Sequence, residues 1–230
     1  MKAIDRLALG IIGLAGLTVA CDGAKDPSAP QSLSAAVDDP AGDTYSTGAS
    51  TGVLPDVVRF EASRVDTVLV VRIQFGSPMA PTARGGSNVV TGYVDIDADQ
   101  NGGTGTQPAT DVYRPAGSGS TGMSDEYLLS LWSEGQGRYE IWRTSDGAVT
   151  GTLLPLFNGN TLEMRIPLSA LGGDDGHVNL AAVVGTLAEP TDIVPNDALL
   201  TVGQPARTTA RATTARSFVT STGKAIRWGR

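Results

Sequence analysis

Cysteine and histidine each occur once in the 230 residues, as Cys21 and His177. A single cysteine excludes an intramolecular disulfide, and a single histidine excludes zinc sites built on two or three imidazoles. Any Ser-His-Asp triad would have to use His177, which lies in the turn Gly173-Asp174-Asp175-Gly176-His177 with no Gly-x-Ser-x-Gly elbow nearby. Acidic residues are absent beyond residue 203, where Arg207, Arg211, Arg216, Lys224, Arg227 and Arg230 are the charges. The preceding 203 residues therefore carry 24 acids against 11 Lys and Arg, a formal net charge of −13. A surface so acidic disfavours nucleic acid, which needs a basic face, and favours cations.

The uncharged stretch Leu7–Ala20 follows Lys2 and Arg6 and ends in small residues before Cys21. It is shorter than the roughly 20 residues that span a bilayer, so residues 1–20 read as a signal peptide. Leu17-Thr18-Val19-Ala20-Cys21 resembles a bacterial lipobox, in which cleavage precedes a lipid-modified cysteine. Lipid would cap the lone thiol and, at about 0.8 kcal/mol per buried methylene, several acyl chains would anchor the chain durably. The address this implies is the extracytoplasmic side of a bacterial envelope membrane. Asp22 resembles the inner-membrane retention signal of enteric bacteria, and inner versus outer membrane stays open. Residues 21–37 read as the lipidated cysteine and a flexible spacer, residues 38–203 as one domain, and residues 204–230 as a basic disordered tail. Such a tail is a solvated end or an arm for anionic lipid or cell-wall polymer.

Period-2 alternation recurs across the domain: Leu69, Val71, Ile73 and Phe75; Val90, Gly92, Val94 and Ile96; Tyr127, Leu129 and Leu131; Tyr139 and Ile141; Leu162, Met164 and Ile166. Such runs are half-buried strands. Val178–Gly185 is continuously apolar, as a central strand buried on both faces would be. Asn158-Gly159 marks a hairpin, and Gly-rich or Asp-rich clusters separate the other runs. The pattern predicts an all-β antiparallel sandwich with at most one or two short helical turns, one of them at Pro167–Leu171 before Gly172.

The loop Asp95-Ile96-Asp97-Ala98-Asp99-Gln100-Asn101-Gly102-Gly103 places carboxylates at alternate positions before a glycine turn. It departs from an EF-hand: with Asp95 first, Gln100 stands at the glycine position and Thr106 at the bidentate Glu position. Asp95, Asp97, Asp99 and Asn101, with Glu126 from the next strand, are the candidate ligands of a calcium ion, which takes six to eight oxygens in flexible geometry. Without a cation the same residues form a solvated acidic turn. Trp132 and Trp142 either present a flat face to a sugar ring or cover a hairpin.

Asp39–Thr44, Pro55–Val58, Tyr93–Gln100, Glu126-Tyr127, Ile166–Leu168 and Glu189–Asn196, over about residues 38–200, resemble a family of bacterial exported β-sandwich lipoproteins with no settled activity. More remotely, the series is similar to the DOMON and family 9 carbohydrate-binding sandwiches. The resemblance implies a β-sandwich, often with bound calcium, outside the cytoplasm. Members commonly carry Asp where Glu126 precedes Tyr127, so the ligand role passes to a longer side chain. The expectation is a noncatalytic calcium-binding module of the cell envelope that engages a glycan or an envelope protein. The alternatives are a hydrolase using a carboxylate pair and a purely structural docking lipoprotein.

Overall fold

The computed structural model describes residues 33–203 and Trp228. Residues 1–32, on which the expected signal peptide and lipidated Cys21 fall, and the rest of residues 204–230 lie outside the described residues. Two sheets pack face to face. The first runs β1 (Ser34–Asp38), β2 (Val57–Val65), β3 (Val68–Phe75), β10 (Thr161–Pro167) and β9 (Leu156–Asn158), antiparallel throughout. The second runs β12 (Pro190–Val194), β11 (Val178–Gly185), β5 (Val89–Asp97), β6 (Tyr127–Glu134), β7 (Arg138–Arg143) and β8 (Ala148–Leu153), also antiparallel. β13 (Leu200–Val202) pairs with β11 beyond β12, and the two-residue β4 (Ala80–Pro81) runs parallel to β5.

The alternating residues meet between the sheets. Leu69, Val71, Ile73 and Phe75 are fully buried, and Leu162, Met164 and Ile166 join them from β10. Val90, Val94, Ile96, Leu129, Leu131, Ile141, Leu180 and Val184 face them from the second sheet. Each fully buried side chain of this size contributes roughly 1.5–3 kcal/mol relative to exposure. On the outer face of the first sheet Arg72 stands opposite Glu163 and pairs with it at 2.8 Å.

β11 is the central strand that its sequence suggests, flanked by β5 and by β12 and β13, and every residue of it is buried. Its second face is covered by a smaller apolar cluster of Tyr93, Leu128, Val183 and Ile193 with Ala109 from the short helix α1 (Ala109–Tyr113). The expected turn after Pro167 is a 3-10 segment at Leu168–Leu171, closed by Gly172 in the left-handed region at φ 73°. Further 3-10 segments at Thr82–Arg84 and Gly135–Gly137, together with α1, exceed the one or two helical turns expected. The spacer boundary at 37 is also displaced, because β1 draws Ser34–Val37 into the first sheet. Ala35 and Val37 pack against the core while Ser34, Ala36 and Asp38 face outward, an alternation hidden by small side chains. No described helix is long and apolar enough to cross a membrane.

Candidate metal centre

β5 ends at Asp97, and the chain then turns through Asp99 and Asn101 before returning beside the start of β6. Gln100 takes the left-handed region at φ 52°, and its side-chain amide donates to the Val202 carbonyl at 3.2 Å, which pins the turn to β13. The return is set by a bridge between Thr106 and Asp125, with Thr106 N donating to Asp125 O at 2.9 Å and Asp125 N to Thr106 O at 3.1 Å. Gly105 permits it. A Cβ there would stand 2.5 Å from the Asp125 carbonyl oxygen and 2.7 Å from Glu126 Oε1.

This backbone path brings three of the sequence-nominated carboxylates together. Asp97, Asp99 and Glu126 each present an oxygen within 4.8 Å of the other two, an arrangement able to hold a metal ion. Asp97 is buried, Asp99 exposed and Glu126 between, so the cluster opens to solvent on the loop side. Asp97 is oriented by Asn179, whose side-chain amide donates to Oδ2 at 2.9 Å, and by the Asn101 backbone N–H, which donates to Oδ1 at 3.1 Å. The Ala98 backbone N–H donates to Glu126 Oε2 at 3.0 Å. Thr104 Oγ1 lies 2.8 Å from Asp99 Oδ2 and 3.0 Å from Glu126 Oε1. A hydroxyl carries one proton and cannot satisfy both carboxylates.

No lysine or arginine among the described residues pairs with this triad. Burial raises the Asp97 carboxyl to about 6, against the opposing hydrogen bonds from Asn179 and Asn101. Burial, reinforced by the charges of Asp99 and Asp97, raises Glu126 as well. Each pair of like charges at about 4 Å costs roughly 1 kcal/mol in water and about 4 kcal/mol at a protein surface. A cation with a preference for hard oxygen ligands reverses the sign of that term.

Two nominated residues stand differently. Asp95 shares the outward face with Asp97, yet it is fully buried and both its oxygens are committed to α1. Oδ1 accepts from Ala109 N and Oδ2 from Thr110 N, each at 2.8 Å, so Asp95 caps the helix from another strand and lies outside the triad. Asn101 contributes through its backbone N–H, while its side-chain oxygen accepts from Gly103 N at 3.1 Å within the turn. Behind the centre, Asp125 is buried with Oδ1 accepting from Thr106 Oγ1 at 2.8 Å and Oδ2 without a hydrogen-bond partner. Burial and the neighbouring Asp95 charge raise its carboxyl far above the usual range. Thr104, Asn179 and Asp125 carry no spacing signal of their own and are placed here only by the fold.

Trp132 and Trp142 both belong to the half-buried cluster on the outer face of the second sheet. Trp228 packs edge-on against Trp132 at a centroid distance of 6.0 Å and against Tyr113 at 5.0 Å, and its indole N–H donates to the Thr186 carbonyl at 3.0 Å. Trp142 donates from Nε1 to Glu140 Oε2 at 2.8 Å. His177 sits in its turn with Nδ1 3.1 Å from Asp175 Oδ2. Comparison of the chain with protein-family models and with curated proteins finds no match.

Proposed function

We propose that the chain is a noncatalytic, calcium-binding β-sandwich, tethered through lipid on Cys21 to the extracytoplasmic side of a bacterial membrane. The observation that carries the calcium reading is the convergence of Asp97, Asp99 and Glu126 within 4.8 Å, with no described lysine or arginine to pair with them. All the donors are oxygens, which selects hard cations. An irregular loop with carboxylates of mixed exposure suits the adaptable shell of Ca²⁺ better than the strict octahedron of Mg²⁺. A domain whose chain carries a single cysteine, outside residues 38–203, gains from the ion the cross-link that disulfides supply to other exported domains.

The reading is tested by calcium titration of the purified chain beside an Asp97→Asn/Asp99→Asn variant. Loss of one bound ion is expected in the variant, and parental stoichiometry with parental affinity would sink the assignment. The tether is tested by fractionating cells that express Cys21→Ser: the protein moves to the soluble fraction, whereas retention with membranes contradicts the anchor. An envelope glycan or an envelope protein is the partner class that such an address implies, and a glycan array on the calcium-loaded protein separates the two.

A further inference from the structure

We propose that Asp39, Asp43 and Asp192, with Asn196, form a second divalent-cation site, which fastens the connection from β1 to β2 to β12 of the opposite sheet. The site is separate from the Asp97 centre and does not depend on it. Each of the three carboxylates presents an oxygen within 4.8 Å of the other two. Asp192 is 1% exposed and Asp39 9% exposed, and Asp39 Oδ2 is buried with no hydrogen-bond partner. A buried carboxylate oxygen left without a donor calls for a proton, a water or a cation, and beside two further carboxylates a cation answers all three.

The surroundings are organised to hold these acids and not to neutralise them. Asp192 Oδ2 accepts from Val57 N at 2.7 Å and Oδ1 from Ile193 N at 2.8 Å, which locks its carboxylate between β12 and β2. Asp56 accepts from Gly42 N at 2.9 Å and so fixes the turn that carries Asp39 and Asp43. Asn196 Nδ2 donates to Asp43 Oδ2 at 2.7 Å and to Asp39 Oδ1 at 3.2 Å, and a rotated amide would offer its oxygen to an ion instead. No described lysine or arginine pairs with the triad. Arg59 pairs with Asp38, and Arg114 donates to the Asn196 carbonyl and lies 3.6 Å from Asp111, its Nη2 buried without a hydrogen-bond partner. Three carboxylates and one amide make an all-oxygen set of calcium's kind, with water completing the shell. Because Asp39 follows β1 directly, the ion would sit at the start of the connection from β1 to β2.

The test is isothermal titration of the full, chelator-treated chain with calcium chloride. Two ions per chain are expected for the parent, and one each for Asp43→Asn and for Asp97→Asn/Asp99→Asn. Asp43 is exposed, so its replacement removes a ligand without disturbing the interior. Asp39→Asn is the second variant, also expected to bind one ion. Parental stoichiometry in both Asp43→Asn and Asp39→Asn overturns the site, as does the absence of any bound ion in Asp97→Asn/Asp99→Asn. If the parent binds a single ion, its loss in Asp43→Asn upholds this site and removes the Asp97 centre. Its loss in Asp97→Asn/Asp99→Asn does the reverse.

Discussion

Glu126 Oε2 accepts the backbone N–H of Ala98 at 3.0 Å, so the carboxylate that precedes β6 holds the loop that leaves β5. The acidic loop is thereby closed by an acid 28 residues further along the chain. Glu126 serves both as a candidate ligand and as the clasp that gives the loop its shape. Glu126→Gln keeps an oxygen for the Ala98 N–H but removes the charge. The expected result is weaker calcium binding with the calcium-free stability little changed, measured by titration and by urea denaturation of the same variant.

Asp95 separates a structural role from a metal role on one strand. Asp95→Ala leaves the buried N–H groups of Ala109 and Thr110 without acceptors. Each orphaned buried donor costs roughly 1–3 kcal/mol. Urea denaturation should show that loss, while calcium affinity at the Asp97 centre stays near the parent's. A calcium-binding defect as large as that of Asp99→Asn would place Asp95 among the ligands after all.

The pH dependence of calcium binding follows from Asp97. Its folded-state carboxyl is raised to about 6, above the 3.8 of the free side chain, because burial disfavours the charge. A raised acid takes up a proton on folding, so its protonated form favours the calcium-free fold at low pH and that contribution fades as pH rises through about 6. Calcium must displace the proton. Affinity at the Asp97 centre, read in Asp43→Asn, is therefore expected to climb between pH 5 and about 7 and then level off, measured by titration at fixed ionic strength; a flat profile contradicts it.

Glu189 shows the opposite sign. Hydrogen bonds from the Ser46 and Thr47 hydroxyls and from the Thr47 and Ser50 backbone N–H groups lower its carboxyl to about 2, against 4.5 for the free side chain. Its contribution is present above about pH 4.5 and is lost as pH falls towards 2. The 46–50 segment should therefore loosen in acid before the sandwich core. Hydrogen exchange at pH 3 against pH 6 reads this directly, and Glu189→Gln should show the loosened pattern already at pH 6.

Trp228 closes the aromatic cluster over Tyr93, Tyr113 and Trp132. Trp228→Ala is expected to cost about 1–3 kcal/mol, below a core tryptophan because the ring is only partly buried, and to diminish the near-UV circular dichroism. Calcium affinity should be unchanged.

The strands were legible where one face is water and the other is core. Leu69, Val71, Ile73 and Phe75 announce β3 because half-buried Val68, Arg72 and Gln74 alternate with most of them, and β11 announces its central place because both faces are apolar. β1 was hidden, since Ala35 and Val37 present too little contrast with Ser34 and Ala36. α1 was hidden for a different reason: five residues show no helical period, and its cap, Asp95, lies 14 residues before its first donor. At the acidic loop, alternation correctly put Asp95 and Asp97 on one face. It could not say that a helix covers Asp95 and leaves Asp97 beside the turn. The grouping of Asp39, Asp43 and Asp192 depends on an approach of segments about 150 residues apart, which no local pattern records.

The most direct measurement is the thermal melt of the purified chain in EGTA and then in excess calcium, beside Asp97→Ala/Asp99→Ala. Free calcium at about 100 times its dissociation constant contributes about 2.7 kcal/mol per site, a rise in Tm of roughly 5–11 °C for a domain of this size. The expected result is such a rise in the parent and a clearly smaller one in the double variant. No rise in the parent, or an equal rise in both, would contradict a calcium ion held by Asp97, Asp99 and Glu126.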